Sequence, residues 1–121
     1  MNICLATLDK ATAQEVFDQV AVHMFKQNAR SVREIDEQCQ YRGYGGLMCA
    51  AGCLIADDEY SPAMEGFSWD SLAVTGKVPK AHQDLILLLQ EIHDHTPLEH
   101  WYHTLKMVAF DNKLSDAHLM P

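Results

Sequence analysis

Three groups of side chains in this sequence have the types and spacing to do chemistry. Cys49 and Cys53 are four residues apart, so on a helix both thiols would share one face. Cys39 and a histidine could then complete a tetrahedral metal site. The spacing C-x9-C-x3-C differs from the paired C-x2-C arrangement typical of zinc sites. Core packing, a metal site and a reactive thiol therefore stay open, with core packing ahead because free Cys is among the most buried residue types. The second group is His93, His95, His100 and His103, dense enough to offer imidazole ligands but without an H-E-x-x-H pattern. Solvent-facing or half-buried histidines near a helix boundary are the plainer expectation. The third group is Tyr41, Arg42, Tyr44, Asp57, Asp58, Glu59 and Tyr60. Tyr and Arg are enriched in binding hot spots, and a guanidinium beside paired carboxylates suits a binding cleft or acid–base chemistry. These seven are the candidate binding residues. Arg42 could equally pair with its acidic neighbours and serve the fold.

Glu65 and Asp70 extend the acidic cluster, but the run lacks the alternating ligands and glycine of a calcium loop. Gly43 to Gly46 has no following Lys-Ser/Thr and is no P-loop, and no G-x-S-x-G occurs. No catalytic residue is assigned, no cofactor is expected, and an enzyme is the less favoured class. An enzyme would need a cleft joining Arg42 to Asp57, Asp58 or Glu59.

The elements must position these groups within 121 residues, enough for one small globular domain. Nine basic against seventeen acidic residues leave a net charge of −8, a poor footprint for binding phosphate, so no nucleic-acid partner is expected. No apolar run approaches the roughly 20 residues that span a bilayer, so no membrane partner is expected either. The start, Met1 to Lys10, lacks a basic n-region and a long apolar stretch. A cytoplasmic location and free thiols follow as expectations.

Thr12-Ala13-Gln14-Glu15 is a capping-box pattern, followed by Val16, Phe17, Val20, Ala21 and Met24 at helical spacing. A helix from about Thr12 to Gln27 is predicted. Ser31 to Gln38 is polar and unassigned. A short strand at Cys39–Arg42, a turn at Gly43–Gly46 and a short helix within Leu47–Ile55 are expected next. Ser61-Pro62 reads as the cap and first position of a single turn, and Ser68 starts a short helix that Gly76 ends.

Pro79 opens a core helix of about 15 residues with His82, Leu85, Ile86, Leu89, Ile92 and His93 on one face. His82, on its apolar side, is expected to be a satisfied structural histidine. Lys80, Gln83, Asp84, Gln90, Glu91 and Asp94 form the opposite stripe, with Leu87 stranded inside it. Thr96-Pro97-Leu98-Glu99 reads as a second capping box, starting a helix whose inner face carries Leu98, Trp101, Tyr102, Leu105, Val108 and Ala109. The short loop predicts an antiparallel pair. Asp111 to Pro121 is an unassigned tail. The fold class is therefore mainly α: three main helices, with a short β-hairpin-like turn and short helices between the first and second.

The block Cys39-x-Tyr41-Arg42-Gly43, Gly46, Cys49-Ala50, Gly52, Leu54-Ile55, Asp57-Asp58-Glu59-Tyr60, Glu65-Gly66 resembles a set of small uncharacterised proteins of bacteria, prophages and other mobile elements. Ala11 to Val20 is similar to theirs as well, and the resemblance runs to about Ile92. It implies a shared central module and an accessory role on a mobile element, and carries over no activity. The function expected is a small protein-interaction or regulatory domain with a protein partner or as a homodimer. Val22, Leu87, Met107 and Phe110 fall on otherwise polar faces and suit self-association. The alternatives are a metal-binding protein using Cys39, Cys49 and Cys53 or the late histidines, and a small enzyme around Arg42.

Overall fold

The computed structural model describes residues 2–32 and 39–119. The fold is mainly α: α1 (Ala13–Gln27), α2 (Trp69–Val74), α3 (Gln83–His95) and α4 (Trp101–Asp111). The central block between α1 and α2 is built from single 3-10 turns at Tyr44–Gly46, Ala51–Leu54 and Pro62–Met64. The polar stretch 33–38 lies outside the described residues. No helix among the described residues is long and apolar enough to cross a membrane.

α1 starts as its sequence dictates. The Thr12 hydroxyl accepts from Glu15 N–H at 3.1 Å and the Glu15 carboxylate accepts from Thr12 N–H at 2.9 Å, which satisfies two orphan donors. Asn28, left-handed at φ 50°, ends the helix with its N–H on Met24 O at 2.8 Å. Val16, Phe17, Val20, Ala21 and Met24 are buried, as their spacing predicts.

Three expectations are corrected. The core helix begins at Gln83 rather than Pro79, because His82 is left-handed at φ 60° and caps the helix from outside. Its imidazole Nε2–H donates to Ala11 O at 2.7 Å, which ties the start of α3 to the start of α1 and offsets the strained backbone. The second capping box does not form. Thr96 is extended, and its carbonyl accepts from the Trp101 indole at 2.9 Å and from Arg30 Nη2 at 2.7 Å. Arg30 Nε also donates to His93 O at 3.0 Å, so a cation closes the negative end of α3. A 3-10 turn at Leu98–His100 then leads into α4. Finally, the hairpin is reduced to one antiparallel bridge, Arg42 to Met48, closed by Gly43 N–H on Leu47 O at 2.8 Å. The two arms part there because Met48 is held by α1: its N–H donates to Gln27 Oε1 at 2.9 Å, and its carbonyl accepts from Gln27 Nε2 at 2.8 Å.

The core lies where α1, α3, α4 and the Ala51–Leu54 turn meet, around Leu8, Phe17, Leu54, Ile86, Leu89, Trp101 and Leu105. The tail returns to it. Leu119 is buried, and Gln14 clamps Ser115 through both its amide atoms at 2.7 and 3.0 Å.

His23 links α1 to the same Met48 carbonyl, its Nε2–H donating at 2.9 Å. Burial holds its pKa below the ordinary 6.5; the Met48 bond opposes this, and His93 and Arg42 add to it. A base with a lowered native pKa binds its proton more readily when unfolded, so its contribution is complete above pH 6.5 and shrinks as pH falls below it. Thermal melts from pH 8 to pH 5 should therefore show a declining Tm. His23→Gln, whose amide can still donate to Met48 O, should show a flatter decline, and parallel curves for the two would contradict the assignment.

Candidate functional site

The central block brings several of the candidate residues into one internal network. Arg42 Nη1 donates to Gly52 O at 2.8 Å, and Nη2 donates to Ile55 O at 2.6 Å and Asp57 Oδ1 at 3.2 Å. Its guanidinium lies 5.2 Å from the centre of the Tyr60 ring. Tyr60 in turn donates its hydroxyl to Glu65 Oε2 at 2.7 Å, and burial with that bond pushes the phenol up to about 12. Glu65 also accepts from the backbone N–H groups of Tyr41 and Arg42 at 2.9 and 3.0 Å. The Tyr41 hydroxyl donates to Phe67 O at 2.7 Å, and burial pushes it well above its ordinary value. These bonds lock one end of the block to the other.

The remaining candidates, Tyr44, Asp58 and Glu59, lie elsewhere, and Asp57 meets Arg42 only from the solvent side. Tyr44 is exposed on the glycine turn, and Asp57 and Asp58 are exposed. Glu59 turns towards the chain start, where its oxygens accept from Leu5 and Ala56 N–H at 2.9 Å and Ala6 N–H at 3.0 Å. Burial opposes its charge, but these three N–H groups outweigh it and hold the carboxyl below its ordinary value. The acids weighed for an enzyme therefore do not converge on Arg42. Of the three, only Asp57 touches it.

What the block and α3 enclose between them is an open cavity of about 350 Å³. Leu87, Gln90, Glu91 and Asp94 form its helical wall, spaced i, i+3, i+4 and i+7 so that they share one face of α3. Opposite them lie Cys39, Tyr41, Cys49, Glu65, Phe67 and Trp69. Tyr41 and Trp69 meet edge to face at 6.3 Å. The wall is braced from behind, since Gln90 accepts Ala51 N–H at 2.8 Å and donates to Asp94 at 2.8 Å. His93, fully buried and stacked on Trp101 at 5.6 Å, places Nδ1 2.9 Å from Asp94 Oδ1. Burial opposes the Asp94 charge, yet bonds from His93, Gln90 and Cys39 together hold its carboxyl below the ordinary range.

Sequence reading does not mark Trp69, Gln90 or Asp94 as site residues. Their signal is Leu87. An apolar residue inside a polar stripe belongs to a second face that is itself partly covered, and Leu87 is half-buried against the core rather than exposed. The exposed apolar residue of α3 is its neighbour Leu88.

All four cysteines are free. Cys49 Sγ accepts Gly52 N–H at 3.3 Å and Cys53 donates its thiol to Ala50 O at 3.1 Å, so the two sulfurs serve backbone partners of their own turn. Among the described residues, no three His, Cys, Asp or Glu side chains are grouped to hold a metal ion. Burial pushes Cys39 and Cys53 up to about 12 and Cys49 higher still, and the Asp94 carboxylate adds to the shift at Cys39. With its pKa raised in this way, Cys39 stays a protonated thiol beside the Asp94 carboxylate and is a poor nucleophile. Raising a thiol from 9.0 to about 12 cuts its thiolate fraction about a thousandfold. Iodoacetamide at pH 7.5, followed by mass spectrometry, should label Cys4 at least about tenfold faster than Cys49. Equal labelling in the native protein would contradict this packing.

Compared with protein-family models, curated proteins and solved structures, the chain matches none.

Proposed function

We propose that the chain is a small protein-interaction module whose docking point is the cavity between α3 and the central block. The observation that carries this reading is the form of the cavity. Its walls are fixed by the Gln90–Ala51 and Glu65–Tyr41 bonds, yet its mouth is open and Phe67, 57% exposed, stands at it. Binding sites combine preformed concavity, aromatic lining and a few placed polar groups in this way. The resemblance of the central block to proteins of mobile elements supports an accessory role there, and integrase or phage structural genes beside the coding sequence would bear that out. Random-peptide display against the full chain tests the docking reading. Bound peptides should be lost on Leu87→Trp, which fills the cavity from its α3 wall, with circular dichroism to check folding, or on Glu91→Lys at its exposed rim. Peptides indifferent to both substitutions would refute it.

Self-association is a second reading, favoured by Met107 and Phe110, one helical turn apart on α4 and 53% and 84% exposed. Native mass spectrometry should then show a dimer that Phe110→Lys dissociates, and a concentration-independent monomer would exclude it.

A further inference from the structure

We infer that the outer face of α4 is the seam of a parallel, two-fold symmetric contact with a second copy of this chain, in which Lys106 of each copy meets Asp111 of the other. The inference rests on the self-association reading above and adds how the two copies are arranged. α4 turns Trp101, Leu105, Val108 and Ala109 to the core. His103, Met107 and Phe110 are exposed and fall at i, i+4 and i+7, on the side directly opposite those four. That spacing is the d, a, d stripe of a heptad repeat, the stripe by which one helix packs along another. Since it points straight away from the core, it is the part of α4 most open to a second helix.

The flanking charges choose the occupant and its direction. In the same register Lys106 is a g position and Asp111 the e position of the next heptad, and both are exposed. In a parallel pair each g residue faces the e residue of the next heptad on its partner. Lys106 of each copy therefore reaches Asp111 of the other, once on each side of the two-fold axis. In an antiparallel pair g faces g and e faces e, so Lys106 and Asp111 stay on opposite flanks and cannot meet. The seam thus carries its own complement, which a second copy in the parallel sense satisfies. Lys106 now rests over the Tyr102 ring at 5.8 Å, on a flexible stem that can turn to the partner instead. His103 meets its own counterpart in this arrangement, and a polar residue in such a seam fixes the register at a cost in stability. α4 has 11 residues, so the contact is small and the expected dimer is weak and concentration-dependent.

Charge exchange tests the arrangement, with sedimentation velocity of the full chain over a concentration series and circular dichroism to check each variant's fold. Lys106→Glu and Asp111→Lys should each weaken the dimer at least about tenfold, because like charges then face one another at both symmetric positions. Mixed together, the two variants should associate about as tightly as the unaltered chain, since opposite charges again face one another at both. Lys77→Glu, the same charge change on the exposed turn after α2, should alter association less than about twofold. Suppose Phe110→Lys dissociates the dimer, but the two exchange variants keep its affinity or fail to associate when mixed. That result would overturn the parallel arrangement alone and leave self-association standing. A chain that stays monomeric at every concentration, or a dimer that survives Phe110→Lys, would overturn both.

Discussion

Gly52→Ala is expected to destabilise the protein by about 3 kcal/mol or more, measured by urea unfolding. A Cβ at this position would press on the carbonyl oxygen of Tyr41 and lie 3.1 Å from its carbon. Neither partner can give way cheaply. Tyr41 is pinned by its N–H on Glu65 and its hydroxyl on Phe67 O, and the Gly52 carbonyl is held by Arg42. The comparison is Gly45→Ala. Gly45 is left-handed at φ 70° with nothing near its missing side chain, so alanine there should cost only the backbone strain of about 1–2 kcal/mol. Similar losses at the two positions would mean that the Tyr41–Gly52 contact is looser than described.

Arg42→Met should cost about 3 kcal/mol, because hydrogen bonds from a charged group contribute roughly 1.5–3 kcal/mol each and the carbonyls of Gly52 and Ile55 would lose their donor. Arg42→Lys should recover less than half of this, since a single ammonium cannot reproduce the fork that reaches both carbonyls. Asp57→Ala should change stability little, its carboxylate being fully exposed. A stable Arg42→Met protein would return Arg42 to the surface, as a residue facing a partner.

The main helices were legible because their signals are local. The Thr12–Glu15 box and the Val16–Met24 spacing act within α1, and Ile86, Leu89 and Ile92 mark the buried side of α3 whatever they pack against. Thr96 and His82 show where local reading stops. The Thr96 carbonyl is claimed by Arg30, far away in sequence, and His82 leaves the helix for Ala11 O. Long-range bonds of this kind leave no periodic trace. The cavity was partly legible: Tyr41 and Leu87 stand out as a hot-spot residue type and a misplaced apolar residue. That they face one another depends on the turns of the central block, which no spacing rule fixes. Arg42 was ambiguous for the same reason, since its residue type suits a partner as well as the backbone carbonyls that it binds.

The central claim, that the cavity is the docking point, is tested most directly by hydrogen exchange of the full chain with and without a peptide selected by display. The account predicts new protection concentrated at Glu65–Trp69 and along Leu87–Asp94, with the outer face of α4 unchanged. Protection centred on Met107 and Phe110, with the cavity walls exchanging as before, would contradict it.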